Sequence, residues 1–173
     1  MPEEKATEKA SCPVAEPVEE HRWLNRLAGA WRFEGGATAQ GDRPAEAFSG
    51  TETVRILGGL WAVAEGRSEM PEGEAMSTVM LLGFDPARNA YVGSFACSVM
   101  THLWIYRGRT DGDGKRLVLA TEGPSMEEGG GSTAFEDFIG LEDADHRTLT
   151  SRMRTNDGQW REVFSARYTR LPD

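Results

Sequence analysis

Three acidic side chains in this 173-residue chain fall where strand alternation expects apolar ones. In an extended strand, residues two apart share a face. Glu52 shares its face with Phe48, Gly50, Val54 and Ile56, while Ala47, Ser49, Thr51, Thr53 and Arg55 take the other. The first set is the apolar one, so the Glu52 carboxylate is expected to point inward. The same sorting places Asp137 between Phe135 and Ile139, and Glu162 between Trp160 and Phe164. A carboxylate among apolar groups is costly unless it finds a cation, a proton or a ligand. The plainer reading is that each acid pairs with an inward arginine or caps a bulge, with Arg67, Arg152 and Arg154 as the candidate mates. The sharper reading is that they orient a guest.

A second group with chemical potential runs from His102 to Tyr106. His102, Trp104 and Tyr106 alternate with Leu103 and Ile105. With the aromatic face inward, the interior gains an imidazole, an indole and a phenol, a mixture of flat apolar walls and polar tips that suits a small-molecule pocket. With Leu103 and Ile105 inward, those groups decorate the surface. The inward arrangement is the one expected here. A histidine among aromatics is more often a hydrogen-bonded structural residue than a base or a ligand. In the segment from Leu60 to Glu69 both faces are mixed, and Glu65, Arg67 and Glu69 read as an outer charge row. Met76, Met80, Met100 and Met153 are flexible apolar fillers of a core, or of a cavity.

Other chemistries leave no trace. No glycine-rich loop precedes a helix as a phosphate cradle requires, and no Gly-x-Ser-x-Gly elbow occurs. His21, His102 and His146 are far apart, with no His-x-His or Cys-x-x-Cys spacing, so no metal site is expected.

The elements that must position these residues are nearly all strands. Residues 1–17, rich in Glu, Lys, Ala and Pro, read as a disordered acidic tail, and residues 18–173 as one domain. Val18–Gly29 reads as a short helix: acids in its first turn, Trp23, Leu24 and Leu27 on one face, and Gly29 as its stop. It is too short to stand alone and is expected to plug one end of a barrel. From there the period turns to alternation. Ten strands are expected, starting near Ala30, Glu46, Leu60, Ala75, Asn89, Thr101, Lys115, Ser132, Arg147 and Gln159. Turn residues such as Gly58-Gly59, Asp85-Pro86, Asp111-Gly112-Asp113-Gly114 and Asn156-Asp157-Gly158 separate them. No helix-length crossover intervenes, so the strands form an antiparallel meander. A meander with one apolar face closes most economically into an up-and-down barrel, which also removes exposed edges. The stretch from Gly123 through Gly129-Gly130-Gly131 is the longest break, a candidate flap over the barrel mouth.

Bulk properties narrow the partners. The formal net charge of −9 disfavours nucleic acid and anionic membranes. No apolar run approaches the length that spans a bilayer, and no secretory signal precedes the domain, so the cytoplasm is the expected compartment. Cys12 lies in the polar tail and Cys97 in an apolar strand, a placement that argues against a bridge between them.

Leu27-Ala28-Gly29-Ala30-Trp31, a short helix running into Gly-x-Trp, resembles the opening motif of lipocalin-like (calycin) barrels, in which the tryptophan closes one barrel end. Gly50-Thr51-Glu52-Thr53-Val54-Arg55, Leu57-Gly58-Gly59-Leu60-Trp61, Leu82-Gly83-Phe84-Asp85 with Tyr91-Val92-Gly93, Thr101-His102-Leu103-Trp104, Asp157-Gly158-Gln159-Trp160 and Tyr168-Thr169-Arg170 extend the likeness. Together they resemble the bacterial family known as domain of unknown function 1579, from His21 onward. That resemblance implies a lipocalin-like barrel and brings no agreed activity or catalytic residue. A more distant likeness to nitrobindin-type barrels would imply haem held by a late histidine. Here that residue, His146, lies in an Asp-rich turn, a departure that disfavours haem, and no cofactor is expected.

Three functions are consistent with this reading. The first is a binding module whose lumen takes a small apolar or aromatic molecule, with Trp31, Glu52, His102, Trp104, Tyr106, Asp137 and Glu162 as its candidate contacts. The second is an enzyme using Glu52 or His102 as general acid or base, which needs the two within hydrogen-bond reach. The third is a homodimeric interaction module without a ligand. The first is favoured.

Overall fold

A computed structural model describes residues 14–42, 44–69 and 75–172. Residues 14–17 of the expected tail lie within it and are exposed; the rest of that tail, with Cys12, lies outside the described residues. One helix, α1 (Glu19–Asn25), precedes ten strands: β1 (Gly29–Ala37), β2 (Glu46–Leu57), β3 (Trp61–Glu69), β4 (Ala75–Asp85), β5 (Ala90–Cys97), β6 (Trp104–Thr110), β7 (Arg116–Pro124), β8 (Ser132–Leu141), β9 (His146–Arg154) and β10 (Trp160–Arg170). Each strand pairs antiparallel with its neighbours in sequence, and β1 pairs with β10 to close the barrel. No helix among the described residues is long and apolar enough to cross a membrane.

Alternation decides which side chains fill the interior. Trp31 and Phe33 of β1, Val54 of β2, Ala62 and Ala64 of β3, Leu82 and Phe84 of β4, Leu117 and Leu119 of β7, Phe135 and Ile139 of β8 and Tyr168 of β10 are all buried in one cluster. Directly paired residues share a face, and the registers agree: Ala64 lies opposite Met80, Met80 opposite Phe95, and Phe95 opposite Trp104. The expected outer charge row holds, since Glu65, Arg67 and Glu69 are exposed.

The end where β1 begins is sealed. Leu24 and Leu27 of the α1 segment are almost fully buried, and Trp23 is buried beside them. The helix is tied down by polar contacts as well. Trp23 Nε1 donates to the Gly114 carbonyl at 2.7 Å, and Trp31 Nε1 to the Leu27 carbonyl at 2.8 Å. The Val18 amide donates to His21 Nδ1 at 3.0 Å, which leaves the proton on Nε2 to reach the Phe84 carbonyl at 3.2 Å. Trp31 is completely buried, and the Arg170 guanidinium lies over its ring at 4.1 Å while donating to the Ala28 carbonyl. Helix and barrel floor are thereby stitched into one plug, as expected. The helix is shorter than the sequence suggests because Arg26 to Ala28 unwind into a turn before Gly29, whose φ of +123° suits glycine.

The opposite end is the mouth. There the loop between β7 and β8, with Gly129, Gly130 and Gly131 all at positive φ, folds back on itself through Ser125 N–H to the Gly131 carbonyl at 2.9 Å. It is fastened to its surroundings. The Met126 amide meets Met153 Sδ at 3.4 Å, and Glu127 accepts from the Asn156 amide at 2.5 Å.

Candidate ligand-binding site

The lumen carries two polar constellations among its apolar walls. The first is Glu52 with Arg147. Arg147, on β9, shares its face with Leu149, Ser151 and Met153, so its strand carries it inside, where it is 3% exposed. Its guanidinium binds the Glu52 carboxylate and lies over the rings of Tyr168 at 3.9 Å and Trp31 at 4.8 Å. Of the candidate mates, Arg67 and Arg154 are exposed, and Arg152 pairs with Glu136 instead. The inward arginine is a residue that sequence reasoning missed. Its Nε is buried with no hydrogen-bond partner. An ion pair of this kind adds little net stability, because desolvation offsets the attraction, but losing one partner strands the other charge at a cost of about 3–5 kcal/mol. Beside the pair lies a void of about 20 Å3, lined by Leu27, Val54, Ala62, Ala64, Leu82 and Ile139 among others. That is room for roughly one water.

The second constellation is Tyr106, Asp137 and Ser151. Trp104 and Tyr106 point inward and are buried, while Leu103 and Ile105 are 53% and 60% exposed, so the aromatic face is the inner one. The Tyr106 hydroxyl donates to Asp137 Oδ2 at 2.5 Å. Burial pushes the Asp137 carboxyl above its ordinary range, against the opposing pull of hydrogen bonds from Ser151 and Tyr106. Burial, then the Asp137 charge and hydrogen bond, push the Tyr106 phenol well above its ordinary value, so it stays a donor. Burial likewise raises Tyr168, with Glu52 adding and Arg147 opposing.

Although Asp137 sits deep in the barrel, it keeps some accessible surface. So do the inward residues Phe48, Phe95, Ser151 and Phe164, whereas Met80 and Leu149 border the small void at the floor. The upper lumen therefore retains space toward the mouth. Phe48 and Phe164 stack there with centroids 5.0 Å apart.

Two expected contacts are displaced. Glu162 is exposed, not inward. The β9–β10 register shifts between Glu162 and Phe164, and Val163 takes the buried position, 3% exposed. A bulge reverses the parity of every residue before it. Thr38 secures the bulge, its hydroxyl donating to the Glu162 carbonyl at 2.6 Å and its amide to the Val163 carbonyl at 3.0 Å. His102 precedes β6 instead of lying within it; its Nε2 is 3.0 Å from the Glu122 carbonyl, and its ring meets Trp104 edge-on at 4.8 Å. Glu52 and His102 thus serve different partners and form no acid–base pair. Trp31 lies at the plugged floor and contributes a wall behind Arg147.

His146, the first residue of β9, is half-buried, with Nδ1 2.9 Å from Asp143 Oδ1 at the plugged end. Among the described residues no group of three or more His, Cys, Asp or Glu is gathered as a metal ion would need.

Comparison with known proteins places this architecture among relatives. The family model described as "Protein of unknown function (DUF1579)" matches residues 16–170. No curated protein matches the chain. Among solved structures, Rv2717c from M. tuberculosis is similar in fold, with a TM-score of 0.63 at 14% identity over 91% of this chain and 100% of that one. A redesigned β-barrel aligns with a TM-score of 0.48 at 9% identity, over 87% of this chain and 96% of that one. A de novo designed fluorescence-activating β-barrel aligns at 0.46 and 12% identity, over 86% and 96%.

Proposed function

Given that the chain belongs to the DUF1579 family, whose description assigns no activity, we propose that it is a binding protein that takes one small apolar or aromatic molecule into its upper lumen. The guest's apolar body lies against Phe48, Phe95 and Phe164, and its polar end meets Asp137, Tyr106 and Ser151. The observation that carries this reading is the Tyr106–Asp137 pair: a donor–acceptor couple set in an apolar wall that keeps accessible surface. Pockets for small molecules combine such walls with a few convergent polar groups. Among neutral guests a hydroxyl is the best match, since the Tyr106 O–H is already given to Asp137 and the carboxylate keeps capacity to accept from the guest. The Glu52–Arg147 pair lies deeper and its two charges are matched to each other, so its part is to close the floor of the site. Its double stack against Tyr168 and Trp31 holds that floor rigid.

Titration with 2-naphthol tests the reading. Native mass spectrometry is expected to show a single 1:1 adduct, and Ser151→Trp, which fills the space beside Asp137, is expected to weaken it at least tenfold. Saturable binding that Ser151→Trp leaves unchanged, or no adduct at all, overturns the lumen as the site.

A further inference from the structure

The barrel's interior has an unbalanced charge. Apart from Glu46, exposed at the rim of the mouth, the charged side chains carried on the inner faces of the described strands are Glu52, Asp137, Arg147 and Arg170. Three of these have their partners. Glu52 and Arg147 hold each other at the floor. Arg170 lies below it, over Trp31 and bonded to the Arg26 and Ala28 carbonyls. Asp137 alone has no opposite charge. Its partners are the hydroxyls of Tyr106, at 2.5 Å, and of Ser151. Among the described residues no Arg, Lys or His forms an ion pair with it. Neutral donors orient toward a carboxylate without cancelling its charge, so within an apolar wall that charge stays costly. Burial outweighs both hydrogen bonds in pushing the carboxyl upward, which is the same imbalance seen from the proton's side.

We propose that the guest of the upper lumen is an organic cation, an aryl-alkyl amine whose ammonium group pairs with Asp137 while its ring lies on the apolar wall. This rests on the lumen being the binding site and names the class of molecule that it takes. Three features select the charge. The first is the missing counter-ion. The carboxylate keeps acceptor capacity beyond Tyr106 and Ser151, and an ammonium fills it with a charge-assisted hydrogen bond, roughly twice as strong as a neutral one. The second is the aromatic setting. Phe135 shares Asp137's face of β8, and one inner row runs from Leu119 through Asp137 and Ser151 to Phe164, which stacks on Phe48. Ring faces attract cations. The third is the field outside. A net charge of −9, with Glu46 at the rim, draws cations toward the mouth and repels anions. A neutral alcohol makes the hydrogen bond but leaves the carboxylate's charge uncancelled.

Three probes of nearly one shape separate charge from fit. They are 2-naphthylmethylamine, a cation near neutral pH; 2-naphthylmethanol, which is neutral; and 2-naphthoate, an anion. Each is titrated into the full chain by isothermal calorimetry near neutral pH, at about 0.15 M and about 0.5 M sodium chloride. The amine is expected to bind at least tenfold more tightly than the alcohol, and the naphthoate more weakly than either. That preference is expected to survive the higher salt, which screens surface charges but a buried pair much less. Asp137→Asn, of matching shape, is expected to bring the amine and the alcohol within about threefold of each other. Ser151→Trp is expected to expel both.

An alcohol that binds as tightly as the amine, or a preference that Asp137→Asn leaves intact, overturns the cation and leaves the lumen standing as the site. A preference lost at the higher salt overturns it as well, because the acidic surface then accounts for it. Failure of all three probes and of 2-naphthol removes the lumen reading, and this inference with it.

Discussion

Asp137 is a carboxyl whose burial raises it above its ordinary range, and its protonation should be visible in stability. Burial raises its carboxyl in the folded barrel, whereas the unfolded chain returns it to the ordinary range. Between those two values the folded state binds more protons than the unfolded one, so this group makes stability fall as pH rises through the window. The loss is about 1.4 kcal/mol for each unit by which the folded value is raised. Asp137→Asn keeps the shape and an acceptor for the Tyr106 hydroxyl but removes the titration. Its melting temperature, relative to the native chain, is therefore expected to climb as pH rises from about 4 toward neutrality. A difference that stays flat with pH would show that Asp137 is not held above its ordinary range. At this scale the sequence was partly legible. Parity alone put Glu52 and Asp137 inside, because both share a face with several large apolar residues. Arg147 carried the same signal, sharing its face with Leu149 and Met153, but arginine is ordinarily a surface residue and the pattern is easily passed over. The partner of Glu52 was thus readable in principle, whereas the meeting of Tyr106 with Asp137, 31 residues apart, depends on barrel shear that no local pattern carries.

Among the elements, α1 has the least intrinsic stability and the most to contribute by packing. At seven residues it is below the length that holds together alone in water. Its order comes from the barrel end that it closes. Leu24→Ala is expected to lower stability by about 2–5 kcal/mol, the range for emptying a well-packed leucine site, measured by urea denaturation. A loss under 1 kcal/mol would mean that the helix rests on the barrel without plugging it. Most strand boundaries were legible because each sits beside Gly, Asp, Asn or Pro. The exception is β6, expected near Thr101 and found from Trp104. Residues 98–103 are occupied otherwise: the Ser98 amide and hydroxyl both bond to Ser77, and His102 reaches across to Glu122. The bulge in β10 was not legible either. Nothing in Trp160 to Phe164 signals an extra residue, since the bulge is fixed by Thr38, more than a hundred residues away. Alternation without that bulge turns Glu162 inward, whereas the shifted register turns it out.

For the whole molecule, closure makes the first and last strands neighbours. β1 pairs with β10 over seven residue pairs from Trp31↔Arg170 to Ala37↔Phe164, and the same β1 holds the plug through Trp31. Arg170, three residues from the end of the chain, stacks on Trp31 and bonds to the carbonyls of Arg26 and Ala28. The barrel has no stable half, because opening one ladder exposes two strand edges and the floor together. Unfolding is therefore expected to be a single cooperative transition. The five tryptophans sample both ends: Trp23 and Trp31 the plugged floor, Trp104 the mouth. Their fluorescence and the far-ultraviolet circular dichroism should give coincident urea midpoints. Folding should be slow for a chain of this length, in roughly the millisecond-to-second range, since the closing ladder joins residues far apart in sequence. Trp31→Phe probes that closure directly. It removes the indole that bonds to Leu27 and stacks under Arg170, so it should weaken floor and closing ladder together and keep the two midpoints coincident at lower urea. Midpoints that separate, with the mouth outlasting the floor, would show instead that β1 and β10 part while the other strands hold.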